Sequence, residues 1–356
     1  MKAMVLAAGC GRRMQPLTFQ VPKPAIPVLG RPLIQQVLAG LGAQGCREAT
    51  VNLHHLPGSL AALLTEMPAY GLEKLHLSLE EDRILGTGGG IRNAAGFLRG
   101  DGTILVRNSD FLLDIDLDEA MEFHRSSGRP VTLVLAGSRQ GYTPVPVGRD
   151  SRILGFGNLR DYDRAAVVSE GLFTGLHLIE EEVLDRIPGP DPCDIVRDVY
   201  LPMLEDGAVG AYTTDRFWWE FGSPEQYLEG SLRLIDMPLS EARRFSSTDP
   251  VRERQSARIA VGAGAAIAPE AILTGRIAIG LAAALARGCQ VEDSLILPEA
   301  WIGAGACLTR CIIGPKAEIP AGTVLDRKLV CTYTDGPPIP PTWDRLGDLV
   351  LRPLGN

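Results

Sequence analysis

The chemistry of this chain is concentrated near its start, where Leu6-Ala-Ala-Gly-Cys-Gly-Arg-Arg-Met-Gln-Pro-Leu-Thr18 is followed by Val21-Pro-Lys-Pro24. A short apolar strand runs into a glycine turn and then into basic residues. Such a turn exposes successive backbone N–H groups to an anion, and glycine permits the backbone angles and close approach this requires. Arg13 and Lys23 then supply positive charge to neutralise a triphosphate. The run is not a Walker A loop, which needs Gly-x-x-x-x-Gly-Lys before Ser or Thr, and it is not Gly-x-Gly-x-x-Gly. A bare Gly-x-Gly reads as readily as a structural turn. Further along, Glu81 lies just before a second glycine-rich stretch, Leu85-Gly-Thr-Gly-Gly-Gly-Ile91, where it could contact a base. Asp110 follows an apolar run at 103–107, and alone it reads equally as a turn or N-cap aspartate.

Taken whole, the first string closely resembles the signature of the sugar-1-phosphate nucleotidyltransferases, and the resemblance continues through most of the chain. It implies that the loop of Leu6, Ala7, Ala8, Gly9 and Gly11 holds a nucleotide, with Arg13 and Lys23 on its phosphates. The stretch from Leu85 looks like the family's loop near base and sugar, which places Gly86 and Thr87 on the nucleotide and Gly88 towards the sugar. Asn108-Ser-Asp110 stands where the family has Asn-Gly-Asp, whose aspartate binds Mg²⁺. Phe173-Thr-Gly-Leu-His177 and Phe217-Trp-Trp-Glu-Phe-Gly-Ser-Pro224 resemble two later blocks. In the second of these the family supplies another metal carboxylate, usually aspartate, and here the position is Glu220. Asn108, Tyr142, Thr174 and Gly175 fall on the sugar side. Two departures stand out there. The family's Glu-Lys-Pro is replaced by Gly155-Phe-Gly-Asn-Leu-Arg-Asp161, leaving Arg160 as the substitute cation, and Thr143 follows Tyr142 where the family has glycine.

The implied reaction is attack of a sugar-phosphate oxygen on the α-phosphorus of a nucleoside triphosphate, with pyrophosphate leaving. The nucleophile is already anionic near neutral pH, so in-line positioning and charge neutralisation carry the catalysis and no general base is needed. Arg13, Lys23 and Asp110 are the expected catalytic residues, Asp110 and Glu220 the expected Mg²⁺ ligands. The arrangement leans towards the mannose-1-phosphate guanylyltransferases without fixing the base. A non-catalytic regulatory paralogue that binds nucleotide sugar and partner subunits is the alternative. An acyltransferase role for the C-terminal region is disfavoured, because such domains usually use a histidine base and all five histidines precede that region. His54 and His55 read as loop or packing residues, and Trp218 and Trp219 as at least partly core.

The elements that must position these residues alternate. Apolar β-type runs at 3–7, 48–52, 75–79, 103–107, 131–136 and 171–178 enclose helical patterns at 33–44, 58–66 and 91–97. Strand–helix–strand alternation predicts a mostly parallel, Rossmann-like α/β sheet, with ligands at the carboxyl ends of its strands.

A different pattern begins near residue 259. Every sixth residue is a branched aliphatic from Val261 through Ile267, Leu273, Ile279, Leu285 and Val291 to Leu297. After a one-residue slip come Ile302 and Leu308, and after another Ile313, Ile319 and Leu325. A period of six suits a left-handed parallel β-helix of hexapeptide repeats. A helix here would carry many glycines, each costing about 1 kcal/mol. The expected organisation is a nucleotidyltransferase domain at 1–236, a polar linker at 237–258, the β-helix at 259–325 and a Pro-rich extended tail at 326–356.

With 356 residues and 45% hydrophobic content, the chain is long enough for two domains with ordinary cores. A net charge of −8 gives no nucleic-acid footprint. The longest apolar runs are too short for a membrane span. Seven cysteines without a Cys-x-x-Cys pair read as reduced thiols of a cytoplasmic protein. The expected ligands are a nucleoside triphosphate, a sugar 1-phosphate and Mg²⁺, and the expected assembly is a homo-oligomer.

Overall fold

The computed structural model describes residues 1–66, 70–238, 241, 251–254, 256–333 and 337–355. The chain forms two compact units. One comprises Met1–Cys10 with Val37–Trp219, the other Gly11–Gln36 with Glu220–Asn356. The units therefore cut across a division drawn along the chain at residue 236, and the segment carrying Arg13 and Lys23 belongs with the C-terminal half. Most of the stretch read as a linker lies outside the described residues.

In the first unit, strands β1 (Lys2–Leu6), β2 (Glu48–Leu53), β3 (Lys74–Leu79), β4 (Ile104–Asn108), β5 (Val131–Gly137), β6 (Pro144–Val147), β7 (Ser169–Ile179) and β8 (Val209–Thr213) make one eight-stranded sheet. Its order is β8-β5-β7-β4-β1-β2-β3, with β6 on β7. Strands β4, β1, β2 and β3 run parallel, β8 runs parallel to β5, and β7 runs antiparallel to β4, β5 and β6. The chain passes from β1 to β2 on one side and later returns as β4 on the other, so the switch point of the sheet lies between β1 and β4. Helices α1 (Leu33–Ala43), α2 (Pro57–Thr65), α3 (Gly86–Asn93) and α4 (Leu117–Ser127) come between strands. Both faces of a parallel sheet are covered, so its strands are continuous apolar runs. Met4, Val106, Leu133, Ile179 and Tyr200 lie in this buried core.

Two expectations need adjusting here. The glycine-rich stretch after Leu85 is not a loop but the start of α3, and the antiparallel strand β7 reaches both ends beyond the expected run.

In the second unit, helix α5 (Pro224–Asp236) begins at Ser223, whose hydroxyl accepts from Gln226 N at 3.3 Å, with proline at its first position. Its face of Tyr227, Leu228, Leu232 and Ile235 is buried, and it packs against strands Ser256–Val261 and Ile272–Ile279.

The hexad region is a stack of short parallel strands. Ile267, Leu285, Ile302 and Ile319 pair in one column. Leu273, Val291, Leu308 and Leu325 pair in a second, and Ile279, Ile296, Ile313 and Val330 in a third. All but Ile267 are buried. The hexad count placed Leu297 in register and the slip after it. The ladder instead sets Ile296 opposite Ile279, so the slip falls one hexad earlier. Its cause is a bulge: the ladder skips Gly275 and Arg276 on one strand against Asp293 alone on the next, and Asp293 Oδ1 accepts from Arg276 N at 2.9 Å.

The end of the chain is not simply an extended surface tail. Lys328–Thr332, Asp344–Leu346 and Leu349–Pro353 form antiparallel strands, the last two joined by a two-residue turn at Gly347-Asp348. Leu349, Val350 and Leu351 are buried. Proline bars central strands locally, but pairing onto Lys328–Thr332 begins only after the prolines at 337–341.

Candidate active site

Strand β1 ends at Leu6, which pairs with Asn108 at the end of β4. Ser109 N donates to Leu6 O at 3.1 Å, so the turn carrying Asp110 leaves the sheet beside the turn through Ala7, Ala8 and Gly9. A ligand crevice is expected at such a switch point. Ala7 and Ala8 are buried, whereas Gly9 is exposed. A Cβ built on Gly9 would meet no atom within 4 Å, so nothing in the fold itself demands glycine there.

A buried polar network, unseen in the sequence, braces this turn. Asn52 Oδ1 accepts from Ala7 N at 2.6 Å, and Asn52 Nδ2 donates to Glu80 Oε1 at 2.7 Å. The other Glu80 oxygen accepts from Leu85 N at 2.8 Å, at the start of α3. Asn52 and Glu80 are each 3% exposed. The acid built into the fold is thus Glu80, while its neighbour Glu81, the expected base contact, is exposed. The acid pair at the end of β3 was the available signal. His54 Nδ1 lies 2.7 Å from Glu80 O, which fits its reading as a loop residue.

The glycines of α3 answer close packing. A Cβ on Gly88 would lie 2.4 Å from Cys193 Sγ, and one on Gly90 would lie 2.6 Å from Asn52 Nδ2. Gly88 N donates to Cys193 O at 2.9 Å, and the Thr87 hydroxyl accepts from Ile195 N at 2.9 Å. Gly86 and Thr87 are partly exposed, and Gly88 is buried.

Beneath Asp110 sits a second residue that the sequence reading passed over. Arg107 is buried in β4 directly after Ile104, Leu105 and Val106. Its Nη2 donates to Phe111 O at 2.7 Å, and its guanidinium lies 4.3 Å from the Phe111 ring centre. Burial pushes it down to about 10, opposed first by the negative charge of Asp110. The signal was a lone cation in the run Ile104-Leu-Val-Arg-Asn108.

The sugar-side residues separate. Gly175 adopts φ +86°, and a Cβ there would lie 2.7 Å from Asn108 Nδ2, so these two are brought together. Thr174 is buried, and its hydroxyl donates to Val134 O at 2.8 Å. Its carbonyl accepts from Trp218 Nε1 at 3.1 Å, which makes Trp218 a core residue, and Tyr142 meets the Trp218 ring edge-on at 5.3 Å. Arg160 stands apart from this group. It donates to Leu201 O at 3.1 Å and faces Glu205 at 3.6 Å.

In the second unit, Gly11 adopts φ +59°, and a Cβ there would press on Thr18 and Lys23, at 2.9 and 3.1 Å. The Thr18 hydroxyl donates back to Gly11 O at 2.9 Å. Glycine at this point therefore lets the turn close onto Lys23. Arg13 follows in a 3₁₀ turn, Arg12–Met14, and its Nη2 lies 3.0 Å from Glu220 Oε1. The expected metal carboxylate is thus paired with the expected phosphate cation.

A Mg²⁺ is usually held by one or two carboxylates, with water and substrate phosphates completing the octahedron. Among the described residues no group of three or more His, Cys, Asp or Glu side chains could hold a metal. The described residues therefore offer Mg²⁺ no closed cage. Asp110 is a partly exposed carboxylate at the switch point, and its oxygens fit an ion that takes its remaining ligands from a bound triphosphate.

An exposed glycine turn and a carboxylate leaving adjacent parallel strands at a switch point define an α/β scaffold suited to a phosphorylated ligand. The comparisons with known proteins are specific. The nucleotidyl transferase family model matches residues 2–236, and the GlmU-like, C-terminal hexapeptide model matches residues 242–328. Mannose-1-phosphate guanylyltransferase of Mycobacterium tuberculosis is 30% identical over 86% of this chain and 83% of its own length. UTP–glucose-1-phosphate uridylyltransferase of Synechocystis is 26% identical over 92% of this chain and 90% of its own. The crystal structure of HddC from Yersinia pseudotuberculosis shares the fold at a TM-score of 0.54, with 20% identity, over 65% of this chain and 98% of that one. The chain belongs to the nucleotidyl transferase family. No helix among the described residues is long and apolar enough to cross a membrane.

Proposed function

We propose that this enzyme transfers a nucleotidyl group from a nucleoside triphosphate to a sugar 1-phosphate in the cytoplasm, with GTP and mannose 1-phosphate as the favoured pair. The relatives acting on mannose 1-phosphate and glucose 1-phosphate support the class of reaction, and the 30% identical guanylyltransferase supports the pair. The observation that carries the reading is the turn at Gly9. It is open on its outer side, it is braced from within by Asn52, and it leaves the sheet next to Asp110.

The sugar phosphate attacks the α-phosphorus in line and pyrophosphate departs. Backbone N–H groups of the Ala8–Gly9 turn hold phosphate oxygens, and Arg13 and Lys23 balance the charge that collects on the leaving group. Asp110 would hold Mg²⁺, which would supply charge neutralisation at the phosphates. Glu220 pairs with Arg13 at 3.0 Å and orients it. Thr87 and Gly86 lie on the nucleotide side, Asn108, Gly175 and Tyr142 on the sugar side, and Arg160 replaces the lysine of Glu-Lys-Pro.

The hexapeptide region winds as a left-handed parallel β-helix that joins chains into a homo-oligomer, a reading supported by its three aliphatic columns. Light scattering of the intact chain over a range of concentrations tests the assembly, and a monomer throughout contradicts it.

Pyrophosphate release from a panel of triphosphates and sugar 1-phosphates tests the reaction. A non-catalytic paralogue would bind nucleotide and release none.

A further inference from the structure

We propose that the C-terminal end of the chain is a clamp on the signature loop, with Arg352 as the positioning residue for Arg13. The inference rests on the phosphate role proposed for Arg13. All the groups involved belong to the second unit.

The 3₁₀ turn Arg12–Met14 is only three residues long, and short helical turns leave carbonyls without internal donors at their ends. Arg352 Nη1 donates to two carbonyls there, Arg13 O and Gln15 O, at 2.6 Å each. Arginine suits this task because its guanidinium is a rigid, permanently charged set of donors. The guanidinium is itself fixed. Arg352 pairs with Leu329 on the neighbouring strand Lys328–Thr332, and its guanidinium stands 5.7 Å from the Trp343 ring centre. Gly355 N donates to Glu225 Oε1 at 3.1 Å, which fastens the residues that follow to the start of α5. Burial lowers the pKa of Arg352, and the nearby Glu225 charge opposes that shift.

The clamp has a second jaw. Gln20 Nε2 donates to Thr332 O at 2.6 Å and to Thr332 Oγ1 at 2.9 Å, and the Phe19 and Tyr333 rings pack at 5.6 Å. The loop is therefore gripped at both ends of 13–20 by strands from the last 30 or so residues of the chain. Arg13 thus has its backbone held by Arg352 and its exposed side chain paired with Glu220 at 3.0 Å. A phosphate that takes the guanidinium from Glu220 meets it already oriented, and preorganisation of this kind appears as affinity.

The test uses the intact chain carrying Arg352→Met or Arg352→Lys, with triphosphate affinity read by calorimetry and steady-state constants by pyrophosphate release. Arg352→Met should weaken triphosphate binding and raise its KM about tenfold, the scale of losing hydrogen bonds from a charged donor. The KM for sugar 1-phosphate should stay within about twofold, since the clamp acts on the phosphate loop alone. Lysine, which keeps the charge without the fork, should fall between wild type and methionine. Unchanged triphosphate affinity in a folded Arg352→Met chain overturns the clamp, and so does an equal rise in both KM values with lysine no better than methionine. A wild-type chain that binds triphosphate but releases no pyrophosphate refutes the transfer reaction instead. Binding then decides the clamp: tenfold weakening supports it and no change overturns it.

Discussion

Asn52 offers the sharpest test of how the turn at Gly9 is held. Replacing it with leucine keeps the branched outline of the side chain and removes both hydrogen bonds at once. Two buried groups are then left without a partner, the Ala7 N–H and one oxygen of Glu80. An orphaned buried group costs about 1–3 kcal/mol, and more if it is charged, so the expected loss is about 2–6 kcal/mol. Against a total stability of roughly 5–15 kcal/mol, the protein should still fold. For a unit of this size each kcal/mol lowers the melting temperature by roughly 2–4 °C. Urea unfolding of wild type, Asn52→Leu, Glu80→Gln and the double variant gives the coupling directly. Residues in one network typically couple by about 0.5–3 kcal/mol, whereas independent sites add to within roughly 0.5 kcal/mol. The urea slope should stay constant, since the exposed surface does not change. Asn52→Leu should also weaken triphosphate binding, because Ala7 and Leu85 lose their common tether. Additive single and double variants, or full triphosphate affinity in Asn52→Leu, would refute the bracing role.

Three further outcomes follow from the same geometry. Asp110→Asn should cut turnover by at least ~10²-fold, the scale of losing preorganised charge stabilisation, and near-normal turnover at limiting Mg²⁺ would remove Asp110 from the metal site. Gly175→Ala places a Cβ 2.7 Å from Asn108 Nδ2 in a φ +86° backbone, so it should raise the KM for sugar 1-phosphate more than that for triphosphate. An equal effect on both KM values would take Asn108 off the sugar side. The third outcome concerns acid stability. Burial pushes His177 down to about 3, and burial also lowers His124 despite its Glu180 partner. An unfolded histidine titrates near ~6.5, so below that pH the unfolded chain binds protons that the native chain refuses. Stability should therefore fall as pH drops below ~6.5, by up to ~1.4 kcal/mol per pH unit for His177 down to about 3, with His124 adding in the same direction. His177→Asn should flatten this limb, and an unchanged slope between about pH 4 and 6 would contradict the assignment.

The sheet and the repeats were legible because both rest on local apolar periodicity. Alternating runs marked β1 to β5 and β7, and the spacing of six marked the strand columns. What escaped depends on register between distant segments. Nothing local to Asn52 announces that Glu80 faces it, because the pairing of β2 with β3 decides that contact. The bulge at Gly275 moved one slip by a hexad for the same reason. Leu85 to Ile91 resembles a family loop, yet its glycines lie in helix α3, where they let Cys193 pack close. The prolines at 337–341 hid the terminal hairpin, although Gly347-Asp348 between apolar residues is a hairpin signal. Of the site, the glycine turn and Asp110 were visible as motifs. Arg107 and Glu80 were not, because a charged residue that belongs in a core is identified by its partners.

Transfer of a nucleotide to a sugar 1-phosphate is tested most directly by pyrophosphate release from the purified intact chain with Mg²⁺, GTP and mannose 1-phosphate, alongside ATP, UTP and dTTP and glucose 1-phosphate. The expected products are pyrophosphate and a nucleoside diphosphate sugar in equal amounts, formed only when both substrates are present and fastest with GTP and mannose 1-phosphate. Triphosphate binding without pyrophosphate from any pair would contradict the transfer.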